Sequence, residues 1–153
     1  MSDVVALASN DVWAVGQAFE PSVPSGSEVF TVHWDGRAWR RVRAQDTGRF
    51  NADGFATVTA IAPNDLWAIG NDVAHSDQTL AEHWDGRSWT IVPAPDSFLM
   101  NDAAAVATDD VWGCRLDDKP IDHPALGRLD LGCSAQPIDA TAATVTIVKR
   151  RGS

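Results

Sequence analysis

The sequence predicts an all-β protein assembled from a repeated, antiparallel four-stranded unit, and three observations predict it. A block reading Asn-Asp, an aliphatic residue and Trp opens at Asn10, returns at Asn64 and survives as Asp109-Asp110-Val111-Trp112. A second block, His33-Trp34-Asp35-Gly36-Arg37-Ala38-Trp39, returns as His83-Trp84-Asp85-Gly86-Arg87-Ser88-Trp89. Around them lie short runs of Val, Ile, Trp and Thr bounded by Asn, Asp and Gly, which is strand-and-turn composition. No stretch holds a 3.6-residue period long enough for a helix.

The first block recurs at offsets of 54 and 45 residues and the second at 50. A period of that length is in the range of propeller blades. Four strands are expected per unit. The first is 4–8, 57–62 and 103–107; the second is 12–15, 66–69 and 111–114. The third is 29–34, 79–84 and roughly 125–131; the fourth is 39–42, 89–92 and 144–148. Ser9-Asn10-Asp11, Pro63-Asn64-Asp65 and Thr108-Asp109-Asp110 make the first turn of each unit. Asn and Asp suit it because they bond nearby backbone. Asp35-Gly36 and Asp85-Gly86 make the last, as a type I′ hairpin whose glycine takes positive φ. The second strands are nearly continuous in apolar residues, with Ala and Gly interleaved. Such strands are covered on both faces. One meander cannot cover itself, so units must stack as blades around an axis.

The expected fold is therefore a β-propeller of four-stranded antiparallel blades. One domain covers 1–153, with blades at about 3–43, 55–93 and 102–148 and a tail at 149–153. The pattern Asp11-Val12-Trp13-Ala14-Val15-Gly16 … His33-Trp34-Asp35-Gly36 … Trp39 resembles the tryptophan-rich, kelch-like propeller repeats of large bacterial proteins. The resemblance covers most of 4–95 and, more weakly, 103–148. It implies blade architecture and says little about activity, since propellers host many functions. Three blades do not close a ring, which takes about four to eight. Two chains would close a six-bladed homodimer; a piece of a longer propeller is the other reading.

Composition narrows the partners. The 153 residues carry a net charge of −9. That acidity disfavours nucleic acid and anionic membrane surfaces. No apolar run reaches the roughly 20 residues that span a bilayer, and the first residues lack the basic flank and apolar core of a signal peptide, so none is expected there. The expected location is cytoplasmic, or secreted if an original signal peptide has been removed.

In an antiparallel blade the Asn-Asp and Asp-Gly turns share one rim. They are short and alike between copies, which reads as structural. The opposite rim carries connections that differ in every copy. These are Gln17 to Glu28 with Glu20, Asn71 to Gln78 with Asp72, His75 and Asp77, and Arg115 to Pro124 with Asp117, Asp118, Lys119, Asp122 and His123. Function concentrates on variable loops held by a rigid scaffold. The candidate ligand-binding residues are therefore Glu20, Asn71, Asp72, His75, Asp77, Arg115, Asp117, Asp118 and His123.

The same His and Asp residues have the chemistry of metal ligands, but their spacing fits no ligand motif and no metal is expected. They also have the chemistry of a general acid and base. His33 and His83 recur in both clear copies and read as packing residues, each imidazole bonding a backbone group across a strand. The six Trp of those copies likewise read as interblade packing rather than sugar-stacking platforms. Arg40, Arg41 and Arg43 blunt the outer sheet edge. Cys114 and Cys133 are placed about 20 Å apart along a strand, too far for a disulfide. No phosphate loop, dinucleotide fingerprint or nucleophile elbow is present, so no cofactor is expected.

The function expected from this reading is non-enzymatic: a scaffold whose loop rim binds a carbohydrate, a small molecule or a protein. The competing expectation is a small-metabolite enzyme (hydrolase, lyase or cyclase) using the His and Asp residues around a central channel.

Overall fold

The computed structural model describes residues 1–19, 27–45, 54–72, 78–94, 100–117, 121–123, 127–129 and 132–138. Among them every regular element is a strand. The first sheet is an antiparallel meander of β1 (Asp3–Ala8), β2 (Asp11–Phe19), β3 (Ser27–Trp34) and β4 (Trp39–Arg41), paired in chain order. The second repeats it with β5 (Gly54–Ala62), β6 (Asp65–Asp72), β7 (Gln78–Trp84) and β8 (Trp89–Ile91). The registers coincide. Trp13 stands opposite His33 and Trp34 opposite Trp39, as Trp67 stands opposite His83 and Trp84 opposite Trp89.

The third unit departs from the expected strands. β9 (Met100–Ala107) and β10 (Asp110–Asp117) pair as their counterparts do. The chain then makes a separate hairpin of β11 (Ile121–His123) and β12 (Gly127–Leu129). The strand that joins β10 is β13 (Gly132–Pro137), not 125–131. This third strand lacks the His-Trp-Asp-Gly block that fixes register in the other two, so composition alone misplaced it. The expected fourth strand, 144–148, lies outside the described residues. The correction moves the cysteines. Cys114 stands opposite Ala135 and Cys133 opposite Leu116 on adjacent strands. They are thus one diagonal step apart, about 7–8 Å between Cα atoms, rather than about 20 Å.

The last hairpin turn also differs from the expected two-residue type I′. Trp34 pairs with Trp39 and Trp84 with Trp89, leaving four-residue loops. The Asp35 carboxylate accepts from the backbone N–H of Arg37 and Ala38, both at 2.9 Å, and Asp85 repeats this toward Arg87 and Ser88. Gly36 and Gly86 keep positive φ, 87° and 90°. Each lies under the turn between the first two strands: a Cβ there would sit 2.7 Å from Asn10 Cβ or 2.8 Å from Asn64 Cβ. The two turns therefore meet on one rim, as the antiparallel order requires.

The sheets stack face to face. The side of each sheet that looks toward the next is called its forward face, and the other its rear face. Trp13 and Val15, on the forward face of the first sheet, pack with Phe55, Val58, Leu66, Ala68, Leu80 and Trp89 of the second. Trp67, Ile69 and Ala81, on the forward face of the second, pack with Met100, Val111 and Ile138 of the third. In β6, Leu66, Trp67, Ala68 and Ile69 are all buried. A strand covered on both sides reads as a continuous apolar run, which is what the sequence shows there.

Candidate binding rim

Each repeated Asp at the start of a second strand faces the repeated His. His33 Nε2 lies 2.8 Å from Asp11 Oδ1, and His83 Nε2 lies 2.9 Å from Asp65 Oδ1. The imidazoles also lie on the strand-two indoles: His33 stacks on Trp13 at 4.5 Å between centroids, and His83 lies over Trp67 at 4.9 Å. The histidines are packing residues, but their partner is a carboxylate and not the backbone group expected. The signal was in the sequence: Asp and His occur together in two copies. In the third the His is missing, and Asp110 instead accepts from Trp112 Nε1 at 2.6 Å. Asp65 carries a second bond, from Thr108 Oγ1 of the third unit.

This short-turn rim is built of satisfied, repeated contacts. Backbone N–H donation from Ala38, the Arg40 guanidinium and the Arg37 N–H hold the Asp35 carboxyl down from 3.8 to about 2. The Ser88 and Arg87 N–H groups lower Asp85 as well. Donors that favour the charged form depress an acid's pKa.

The opposite rim is where the copies diverge. Its connections are residues 20–26, 73–77 and 118–131, the last carrying the β11–β12 hairpin. Of the expected ligand residues, Glu20, His75, Asp77 and Asp118 fall outside the described residues. Asp72 is the last residue of β6, opposite Gln78. Asp117 ends β10 opposite Gly132, and His123 ends β11 opposite Gly127. The strands thus run further toward this rim than expected, and the first two connections are shorter; the third is longer, because the β11–β12 hairpin lies between β10 and its partner β13.

Asn71 and Arg115 are brought together around one residue. Arg115 stands opposite Met100, and the Met100 N–H donates to Asn71 Oδ1 at 3.1 Å. Gln17 occupies Asn71's place in the first sheet, and its side chain lies against Gly54 of the second. The residue after the strand-two glycine therefore acts as a clasp to the first strand of the next sheet. Asn71 has this packing role whatever else it contacts.

A cleft of about 460 Å³ opens toward the same rim at the outer edge of the first sheet, lined by Glu28, Val29, Arg41, Arg43 and Ala44. Arg41 Nη2 bonds Glu28 Oε1 at 2.5 Å and its guanidinium lies 5.8 Å over the Phe30 ring. Arg43 belongs to the same wall and is exposed. The arginines, read from sequence as edge-blunting charges, also supply planar hydrogen-bond donors suited to carboxylates and hydroxyls.

Glu82 is a residue that sequence reasoning passed over. It is fully buried between the first two sheets, at the position Val32 holds in the first. Its Oε2 accepts from the Gln45 N–H at 2.9 Å, and Gln45 Oε1 accepts from the Ile91 N–H at 2.8 Å. The segment after β4 is thereby tied to the second sheet.

Among the described residues no group of three or more His, Cys, Asp or Glu gathers in metal-binding geometry. Comparison with protein-family models, curated proteins and solved structures finds no match.

Proposed function

We propose that the chain is a ligand-binding scaffold of the propeller type, related to the kelch-like repeats its sequence resembles. Its three sheets act as blades, and its variable rim is the binding surface. The observation that carries this reading is the contrast between rims. One is made of the same bonds twice over, with Asp and His engaged in holding strands together and Gly packed closely under Asn. The other changes in length and chemistry at every copy and opens beside an arginine-lined cleft. A scaffold that repeats its structural rim while varying the opposite one places recognition on the varied side.

The cleft favours a small ligand bearing hydroxyl or carboxylate groups, with a sugar acid as the simplest probe class; the acidic surface elsewhere disfavours nucleic acid. The ring is completed by self-association, giving six blades from two chains.

The test is a glycan array together with a thermal-shift screen of sugar acids and simple carboxylates on the native chain. Hits are expected to be lost in an Arg41→Ser, Arg43→Ser variant and in one whose residues 20–26 and 73–77 are replaced by Gly-Ser linkers of equal length. Hits that survive both changes would overturn the assignment to this rim. Chemical conversion of a hit would replace it with the enzyme reading.

A further inference from the structure

We propose that the two outer sheet faces, each partly exposed among the described residues, are the halves of one interface, joined between two copies of this chain. The forward face of the third sheet of one copy docks on the rear face of the first sheet of the other, and the exchange is mutual. The proposal rests on the blade reading above and adds which side chains meet and in what orientation.

The exposure patterns of the first strands are complementary. In β1, Val5 and Leu7 are partly covered while Val4, Ala6 and Ala8 are exposed. In β9 the alternation points the other way along the stack: Ala103 and Ala105 face the second sheet, and Asp102, Ala104 and Val106 are exposed. Val4 is 54% exposed and Val106 73%. β5, in the middle, has no such open side. The stack therefore ends in a rear face at one side and a forward face at the other.

The internal interface shows what fits. Trp13 seats on the Trp84–Trp89 pair of the next sheet, at 4.9 and 5.8 Å between centroids. The first sheet carries the same pair, Trp34 and Trp39 at 5.8 Å, on its rear face. Among the described residues none takes Trp13's place over it, and Trp39 is 50% exposed where Trp89 is 4%. Trp112 of β10 stands where Trp13 and Trp67 stand, on the forward face of the third sheet, and is only half-buried. The occupant that fits the Trp34–Trp39 seat is thus the Trp112 side of a second copy. A face used twice within the chain is used again between chains. Each contact is head-to-tail, yet two of them close a twofold ring, and six sheets lie within the range of closed propellers. Closure also removes the apolar patches that a soluble monomer rarely exposes.

The experiment uses the native chain and two single variants, Trp39→Glu and Val106→Glu, read by sedimentation equilibrium. Both positions are exposed, so far-UV circular dichroism is expected to stay unchanged. The native chain is expected at twice the 16.4 kDa chain mass. Each variant alone is expected at the single-chain mass. Mixing them is expected to restore a two-chain species, because the mixture holds one intact third sheet and one intact first sheet. A native monomer overturns the proposal. So does dissociation by one variant only, which would mean a face meeting its own kind, and so does a mixture that stays monomeric. Rim ligands bound by a monomeric native chain would leave the binding role of the rim standing, while this inference and the ring closure it rests on fail.

Discussion

The rear faces of the first and second sheets carry nearly the same residues and live in different surroundings. Trp39 and Trp89 end the same motif and pair with the same upstream Trp, but one is half exposed and the other buried. Val4 and Val58 occupy matching registers at 54% and 5% exposure. The difference comes from the neighbour. A sheet's strands form from local pattern and turn chemistry, whereas its burial is supplied by the sheet stacked against it.

That comparison sets the largest expected effect. Trp89→Ala should cost about 3–5 kcal/mol, as large aromatic truncations in a core do. Trp39→Ala should change the stability of the isolated chain by no more than about 0.5 kcal/mol. Urea denaturation at low protein concentration checks both, and equal losses would mean that the two faces are equally covered.

Next comes a buried polar difference between these faces, Glu82 against Val32. Glu82→Ala leaves the Gln45 N–H without its buried acceptor, a loss of about 1–3 kcal/mol. It should also raise amide exchange at Gln45. Val32→Ala should leave that exchange unchanged.

A smaller split is expected at the His–Asp pairs. Asp65 holds both His83 and Thr108, while Asp11 is described with His33 alone. Asp65→Asn should destabilise by about 1 kcal/mol and Asp11→Asn by less, by the same denaturation assay.

The smallest effect is acid sensitivity of the Asp-Gly turns. Asp35 is depressed from 3.8 to about 2 on folding. A depressed acid contributes stability above its unfolded pKa and loses it as pH falls through the folded one. The contribution of the first turn should therefore fade between about pH 4 and pH 2, and Asp35→Asn should abolish that local dependence. Chemical shifts of the Arg37 and Ala38 amides across that range check it.

Much of this organisation was legible because the repeat is explicit. Strand order in the first two units, the shared rim of the two turns and the packing of Trp13, Trp67, Trp84 and Trp89 between sheets follow from motif spacing and residue type; Trp39, expected in the same role, is half exposed instead. The carboxylate partners of His33 and His83 could have been read from the joint recurrence of Asp and His. The path of the third unit could not, because it lacks the Trp-rich hairpin that sets register elsewhere. Glu82 was hidden for a different reason: its acceptor role depends on a residue 37 positions away, in the segment that follows β4. For the rim, Asn71 looked like a loop residue because nothing local shows that β6 runs on to Asp72 and that Met100 lies within reach.

By itself, then, the sequence determined the strands of the first two units, the places of their turns and the four-stranded meander they make, since alternation, Asp-Gly loops and aromatic pairs act over a few residues. Which faces are covered, which polar groups clasp one sheet to the next, and which Trp pair stands open was decided only by stacking. Burial belongs to pairs of sheets, and a repeated segment does not record whether it is first, middle or last in the stack.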